Sequence, residues 1–171
     1  MMKKGRFYFT TFFIFSILLI ACNKIETNFI TNSPDATISV EFALSTTGQP
    51  MYFVKHKSKT VIDTSFMSFD FKDLPALKDD FKIVNTSSST FDESWDMPWG
   101  EQLSVRNNYN ELTIYLEEQS QTKRRLNIRF KVFNDGVSFR YEFPKQDNLD
   151  EVLITDENTE FNLTSDHKVW W

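Results

Sequence analysis

Apolar and polar residues alternate along most of this chain, and that period-two pattern is typical of half-buried β-strands. The first clear apolar face consists of Ile38, Val40, Phe42 and Leu44. The same alternation recurs at Met67–Phe71 and Leu112–Glu117. No segment has a convincing amphipathic helical pattern, and residues 73–81 could form a short helical turn at most. The pattern therefore predicts an all-β chain.

The clearest predicted unit is a hairpin across residues 126–143. Its apolar faces consist of Leu126, Ile128, Phe130 and Val132 on the first strand and Val137, Phe139, Tyr141 and Phe143 on the second. Asn134-Asp135-Gly136 supplies the turn, with Gly136 available for a positive φ. Pro144 ends the second strand because proline cannot donate to a strand ladder. Many short strands separated by turns imply a sandwich or a barrel.

Three further segments are interpreted as turns or loops. Lys57-Ser58-Lys59 joins Met51–His56 to Thr60–Asp63 as a second hairpin. The Ser/Thr-rich stretch Asn85–Thr90 is predicted to be a surface loop. Lys123-Arg124-Arg125, the only basic cluster outside the N-terminal segment, is interpreted as a solvated turn rather than a binding patch.

Residues 1–21 have the pattern of a bacterial lipoprotein signal peptide. Lys3, Lys4 and Arg6 precede 14 mostly apolar residues, a run shorter than the roughly 20 that a membrane span needs. The run ends in Leu19-Ile20-Ala21-Cys22, which matches the lipobox, so Cys22 is the predicted lipidation site. An ordinary cleaved signal with a chance cysteine and a transmembrane anchor are the less favoured alternatives. We expect an exported chain that is anchored through lipid at the cell envelope, with residues 22–32 as a short linker.

Composition excludes several kinds of chemistry. The signal carries three of the 19 basic residues and none of the 24 acidic ones, so the remainder has a net charge of −8. That balance argues against nucleic acid, because phosphate contacts need clustered Lys and Arg. Cys22 is the only cysteine, so the chain can form no internal disulfide. His56 and His167 are isolated from other metal-ligand residues in the sequence, so we predict no metal site.

Several sequence blocks follow one another in an order that resembles the N-terminal domain of glycoside hydrolase family 97. They include Met97-Pro98-Trp99-Gly100-Glu101, Tyr109-Asn110-Glu111-Leu112, Asn134-Asp135-Gly136-Val137-Ser138-Phe139-Arg140-Tyr141-Glu142-Phe143-Pro144 and Ile154-Thr155-Asp156-Glu157. The resemblance implies an antiparallel β-sandwich of the mutarotase-like super-sandwich type across residues 33–171. It further implies packing against a (β/α)8 barrel that carries the catalytic carboxylates, activity on α-glucosidic or α-galactosidic linkages, and calcium in the full-length enzyme.

The chain lacks the alternating strand and helix series that such a barrel requires over roughly 250 residues. We therefore expect an incomplete piece of a lipoprotein α-glycosidase that is inactive by itself, with its partners being an α-linked oligosaccharide and the missing barrel. Glycoside hydrolysis needs two carboxyl groups at a defined separation, and no such pair stands out, so no catalytic residue is assigned. A freestanding carbohydrate-binding lipoprotein and a structural cell-surface sandwich remain the alternatives.

Trp99 and Glu101 are the candidate carbohydrate contacts. An indole can stack on a sugar ring, and a carboxylate can bind hydroxyl groups. The competing interpretation is a loop anchor with a buried indole, a glycine turn and a solvated acid. The sequence favours the anchor, because aromatic residues usually serve protein cores.

The lipidation hypothesis leads to a direct prediction. Replacing the acylated thiol in Cys22→Ala should abolish incorporation of a fatty-acid analogue during metabolic labelling. Equal labelling of the variant and the unaltered chain would contradict the assignment of Cys22 as the anchor.

Overall fold

The computed structural model describes residues 28–168, and within them the chain forms nine strands and no helix. The strands are β1 (Phe29–Asn32), β2 (Ile38–Leu44), β3 (Pro50–His56), β4 (Lys59–Phe71), β5 (Phe81–Asp96), β6 (Ser104–Glu118), β7 (Arg125–Phe133), β8 (Val137–Glu142) and β9 (Ile154–Thr159). In this part of the chain no helix could cross a membrane. The predicted signal peptide, Cys22 and the closing pair Trp170-Trp171 lie outside the described residues.

The strands form two antiparallel sheets. The first sheet has the order β1-β2-β3-β4-β9, and the second has the order β5-β6-β7-β8. The two sheets face each other with β1 against β6 and β2 against β7. The chain crosses from the first sheet to the second in residues 72–80 and returns in residues 143–153. The predicted antiparallel β-sandwich is therefore confirmed.

Aromatic side chains from both sheets meet in the core between them. Phe42 and Tyr52 from the first sheet lie 6.1 and 6.2 Å from the Phe130 ring of the second sheet, measured between ring centroids. Tyr52 also lies 5.5 Å from Phe139. Burial raises the pKa of Tyr52 to about 12, and its hydroxyl donates to the Glu160 carbonyl at 2.8 Å. The predicted apolar faces of β2, β6 and β7 all point into this core.

Both predicted hairpins form. Lys57 and Ser58 take positive φ values of 48° and 67° between β3 and β4, which is the backbone of a tight two-residue turn. The segments Thr60–Asp63 and Met67–Phe71 belong to a single strand, β4.

Gly136, although available for a positive φ between β7 and β8, does not adopt one. The Phe133 amide donates to the Gly136 carbonyl at 2.8 Å, so Gly136 is the first paired residue of the ladder rather than a corner of the turn. Extended backbone at that position needs no left-handed conformation.

The loop predicted at Asn85–Thr90 is wrong, because these residues lie in the middle of β5. Thr86 pairs with Ile114 and Ser88 with Leu112, so the buried strand β6 supplies the pairing partners. The side chains of the stretch remain mostly exposed, although its backbone is paired with β6. Residues 73–81 likewise form no helix. Leu77 is fully buried and exchanges two backbone hydrogen bonds with Phe69, at 2.9 and 3.1 Å.

Arg124 is buried, which corrects the interpretation of Lys123-Arg124-Arg125 as a solvated turn; Lys123 and Arg125 are exposed. Its guanidinium donates to both carboxylate oxygens of Glu118, at 2.6 and 2.7 Å. It also donates to the carbonyl oxygens of Pro75 and Ala76, at 2.7 and 3.0 Å. Arg124 therefore ties the turn between β6 and β7 to the crossover between the sheets.

The Glu118–Arg124 ion pair contributes to stability through its charge. Burial alone would raise the pKa of Glu118, but hydrogen bonds from Arg124 and Thr122 more than offset it, and the pKa is lowered from 4.5. A carboxyl group whose folded pKa lies below its unfolded value stabilises the fold above the unfolded pKa. Its contribution is therefore present above pH 4.5 and is lost as the pH falls through the folded pKa.

Removing one partner of this pair should leave an uncompensated buried charge. We expect Arg124→Met to lower the free energy of unfolding by about 3 to 5 kcal/mol, measured by urea denaturation. The neighbouring exposed Arg125→Met is the matched control, and it should cost less than about 1 kcal/mol. Equal losses in the two variants would show that the buried pair does not hold the crossover.

Candidate functional site

The long strands β5 and β6 continue beyond the four-stranded sheet as a two-stranded arm. Strand β7 pairs with β6 only from Tyr109 to Glu117, whereas β6 residues 104–108 pair only with β5. We use the name arm for residues 91–109, with residues 97–103 as its tip. An isolated two-stranded ribbon is marginally stable in water, so the arm depends on contacts at its root and on whatever covers its faces.

The two faces of the arm differ in polarity, because side chains alternate along paired strands. Phe91 and Trp95 lie on one face, with Val105 opposite Trp95. Asp92 and Arg106 lie on the other face, where the guanidinium makes two hydrogen bonds of 2.7 Å to the carboxylate. The first face therefore carries Phe91, Trp95 and Val105 on either side of the polar pair Glu93–Asn107, and the other face is polar and charged.

An aromatic cluster fixes the arm to the sheet at its root. The rings of Phe91 and Tyr109 stack at 5.3 Å with an interplanar angle of 15°. Tyr109 also lies 5.1 Å from Phe133 at the end of β7. The Lys131 ammonium lies 4.3 Å from the Tyr109 ring centroid, within the range of a cation–π interaction. Tyr109 is buried by these neighbours.

The tip presents the candidate carbohydrate contacts to solvent. The Met97 amide donates to the Leu103 carbonyl at 2.7 Å and closes the loop. Within it, Gly100 has a φ of 125°, a conformation that favours glycine. Trp99 is 81% exposed, and Glu101 is exposed beside it. The expectation of a buried indole is therefore wrong, because the arm holds Trp99 beyond the sandwich.

The Trp99 indole and the Glu101 carboxylate lie two residues apart in the tip loop, and both are exposed. Among residues 28–168, the carboxyl groups with a displaced pKa are all displaced downward: Asp35, Asp92, Glu117, Glu118 and Glu142. A glycosidase general acid needs a raised pKa instead. Across residues 28–168, no three His, Cys, Asp or Glu side chains come together as a metal site.

The two histidines are also placed away from such chemistry. His56 is exposed at the end of β3, where it lies beside an apolar cavity. His167 is exposed near the end of the described chain, and its Nε2 lies 3.0 Å from the Ser165 hydroxyl.

Comparisons with known proteins agree with this architecture. The family model described as Glycosyl-hydrolase 97 N-terminal matches residues 31–171 of this chain. A retaining alpha-galactosidase from Bacteroides thetaiotaomicron is 22% identical over 131 residues, which cover 77% of this chain and 19% of the relative.

Solved structures give the same result. A glycoside hydrolase family 97 enzyme from Pseudoalteromonas sp. strain K8, solved with panose and with acarbose, is 34% identical at a TM-score of 0.75. The match covers 80% of this chain and 20% of that enzyme. A beta-arabinopyranosidase structure at 22% identity shares the fold with a TM-score of 0.72, over 85% of this chain and 24% of its own. The chain thus spans about a fifth of the length of the enzymes it matches.

The aromatic cluster of Phe91, Tyr109 and Phe133 should keep the two strands of the arm paired with each other. Tyr109→Ala removes two aromatic pairs, which together contribute about 1 to 3 kcal/mol. We expect faster amide hydrogen exchange in residues 91–96 and faster proteolysis at the tip. Tyr115→Ala, at the same face of β6 but outside the arm, is the control and should leave the arm unchanged. Equal exchange in the two variants would contradict a root held by Tyr109.

Proposed function

Because this chain belongs to the N-terminal domain family of glycoside hydrolase family 97, we propose that it serves as the supporting domain of a lipid-anchored α-glycosidase acting on α-linked oligosaccharides. In this proposal the domain contacts carbohydrate but does not perform the hydrolysis. The observation that carries it is the match across residues 31–171, together with the share of about a fifth that this chain represents of the related enzymes. Catalysis is assigned to the remaining four-fifths.

The arm tip is the surface that we propose for carbohydrate contact. The Trp99 indole offers a flat apolar face for the C–H groups of a sugar ring, and it is 81% exposed. The exposed Glu101 carboxylate can accept hydrogen bonds from sugar hydroxyl groups. The open backbone at Gly100, where an added Cβ would meet nothing within 4 Å, leaves room for a ligand between them.

The anchor and the metal complete the proposal. Lipid on Cys22 would hold the enzyme at the cell envelope, in keeping with the lipobox Leu19-Ile20-Ala21-Cys22. We also propose that a calcium ion in the longer enzyme takes most of its ligands from outside residues 28–168.

Carbohydrate contact by the tip can be tested on the chain from Asn23 to Trp171. We expect Trp99→Ala to weaken binding of panose or acarbose at least tenfold in calorimetry, since an anchoring Trp commonly contributes about 2 kcal/mol or more. Glu101→Gln should weaken binding less, because the amide keeps one acceptor oxygen. Leu103→Ala is the matched control, since Leu103 is 77% exposed at the same tip and is aliphatic.

Two results would contradict the proposal. Unchanged binding in Trp99→Ala would exclude the tip as the contact. Hydrolysis of aryl α-glucosides or α-galactosides by the Asn23–Trp171 chain would show that the catalytic carboxyl pair lies within these residues, contrary to its assignment elsewhere.

A further inference from the structure

The first strand of the sandwich begins close in sequence to the predicted lipid anchor. Six residues, Cys22 to Thr27, lead from the acylation site to Asn28, the first described residue. Even a fully extended chain of that length spans only about 20 Å. If the lipid on Cys22 lies in a bilayer, Asn28 must therefore lie close to the membrane surface.

Asn28 lies at one end of both sheets. The next residue, Phe29, pairs with Phe42 near the end of β2. Strand β1 runs from there toward the opposite end of the sandwich, where the Asn32 carbonyl accepts a hydrogen bond of 2.7 Å from the Asn110 side chain, next to the root of the arm. We use the name tether end for the loops at the end where β1 begins, which are residues 45–49, 72–80, 119–124 and 143–153.

Backbone hydrogen bonds join the loops of the tether end to one another. The Asp80 amide donates to the Thr47 carbonyl at 2.8 Å, and the Gln119 amide donates to the Asp80 carbonyl at 2.7 Å. The Lys72 amide donates to the Leu153 carbonyl at 2.9 Å. These loops therefore form one connected surface rather than separate mobile segments.

The arm extends away from the tether end. Strand β5 starts there, where the Phe81 amide donates to the Gly48 carbonyl at 3.1 Å, and it continues for 16 residues to Asp96. At a rise of about 3.3 Å per residue, a strand of that length places the tip about 50 Å from the tether end. Trp99 and Glu101 therefore lie on the opposite side of the domain from the start of β1.

The tether end also carries exposed apolar side chains. Leu74, in the crossover between the sheets, is 39% exposed, and Leu153, just before β9, is 58% exposed. The hydrogen bond from Lys72 to Leu153 holds the two segments together. The boundary between headgroups and acyl chains accepts apolar side chains that are poorly solvated in water.

Charge does not draw this end to anionic lipids. Such attraction requires clusters of Lys and Arg near the membrane surface. Acidic side chains outnumber basic ones here, so contact with the bilayer must come from the lipid, the short tether and the apolar side chains. The exposed charged residues of the tether end are Lys72, Lys78, Lys123 and Lys145 on one side and Asp73, Asp79, Asp80, Asp147, Asp150 and Glu151 on the other.

We propose that the tether end faces the membrane, with Leu74 and Leu153 in the headgroup region of the bilayer, and that the tip of the arm points away from it. This inference rests on the proposed function, in which Cys22 carries lipid. The short tether restricts the domain to orientations in which the start of β1 is close to the bilayer. An oligosaccharide would then reach Trp99 from the aqueous side.

The test uses a fluorophore at one position of the lipidated chain. Cys22 is the only cysteine, so an introduced cysteine provides a unique thiol for labelling once Cys22 is acylated. The chain is placed in phosphatidylcholine vesicles whose nitroxide-bearing headgroups quench nearby fluorophores. We expect a label at Asp79→Cys on the tether end to lose most of its fluorescence. Labels at Lys59→Cys, in the opposite end of the sandwich, and at Gln102→Cys, in the tip, should lose little; all three positions are exposed.

Two further variants examine the cause of this orientation. A Gly/Ser insertion of about 20 residues after Thr27 adds about 25 Å of average reach, and it should relieve quenching at position 79 without releasing the chain from the vesicles. Leu74→Ser combined with Leu153→Ser should also reduce the quenching. Leu103→Ser, at the equally exposed tip, is the matched control and should change nothing.

Trypsin cleavage provides a second measurement that needs no label. Cleavage after the exposed Lys78 should be several-fold slower on vesicles than in the unlipidated Cys22→Ala chain in solution. Cleavage after Lys57, in the turn at the opposite end, should be equally fast in both. This comparison decides the orientation even if a label or an introduced cysteine disturbs folding.

Several outcomes would overturn the inference. They are equal quenching at the three positions, stronger quenching at position 59 or 102 than at 79, and quenching at 79 that the insertion leaves unchanged. Protection of Lys78 in the Cys22→Ala chain that rises with protein concentration would identify a second copy as the partner of this surface. A chain that does not float with vesicles contradicts the lipid anchor and the orientation together, whereas a floating chain with the wrong quenching pattern contradicts the orientation alone.

Discussion

The fold depends on the contact between the two sheets at Phe42, Tyr52, Phe130 and Phe139. These rings fill the space between β2 and β3 on one side and β7 and β8 on the other. A strand can contribute only alternate residues to such a contact, so the contact fixes which faces of β2, β3, β7 and β8 point inward. Once those faces are fixed, the polar alternates must point outward, and the surface follows from the core.

That constraint explains which strands can be predicted from the sequence. Where a strand has one face in the core, as in Ile38–Leu44 or Leu126–Val132, the alternation is strict and the predicted faces are confirmed. Strands β7 and β8 follow each other directly in the sequence, so each of them pairs with a neighbour along the chain. Strong alternation and a short loop together were enough to predict these elements.

Elements that depend on distant partners were missed. Asn85–Thr90 has the composition of a loop, but the buried strand β6, whose paired residues lie about 20 to 30 positions further on, draws it into the sheet. Arg124 belongs to a basic run, and its burial depends on Pro75 and Ala76, almost 50 residues earlier. The acidic partner Glu118 lies only six residues before Arg124, and that opposite charge across a turn was the one local signal available.

The sequence identifies the residues of the candidate site, but it does not predict that the Trp99 indole is exposed to solvent. Trp99 and Glu101 stood out as residue types suited to a sugar, yet tryptophan is also a common core residue, so the sequence favoured burial. The decisive fact is the length of the ladder between β5 and β6, which continues past the end of β7 to Asp96 and Ser104. This length places the tip beyond the sandwich. Amino-acid composition does not predict how long the ladder between two strands is.

The pairing of β4 with β9 has a consequence for the order in which the chain is completed. Met67 pairs with Thr159 and Phe71 with Ile154, so the outer edge of β4 lacks its partner until more than 80 further residues have been synthesised. During that interval a strand with large apolar side chains presents unpaired backbone, which is a template for association with other chains. Four of the nine strands, β5 to β8, are made in that time and can cover the apolar face of β4 but not its edge. Protection of the nascent chain against aggregation therefore depends on the arrival of β9, a short and mostly polar strand.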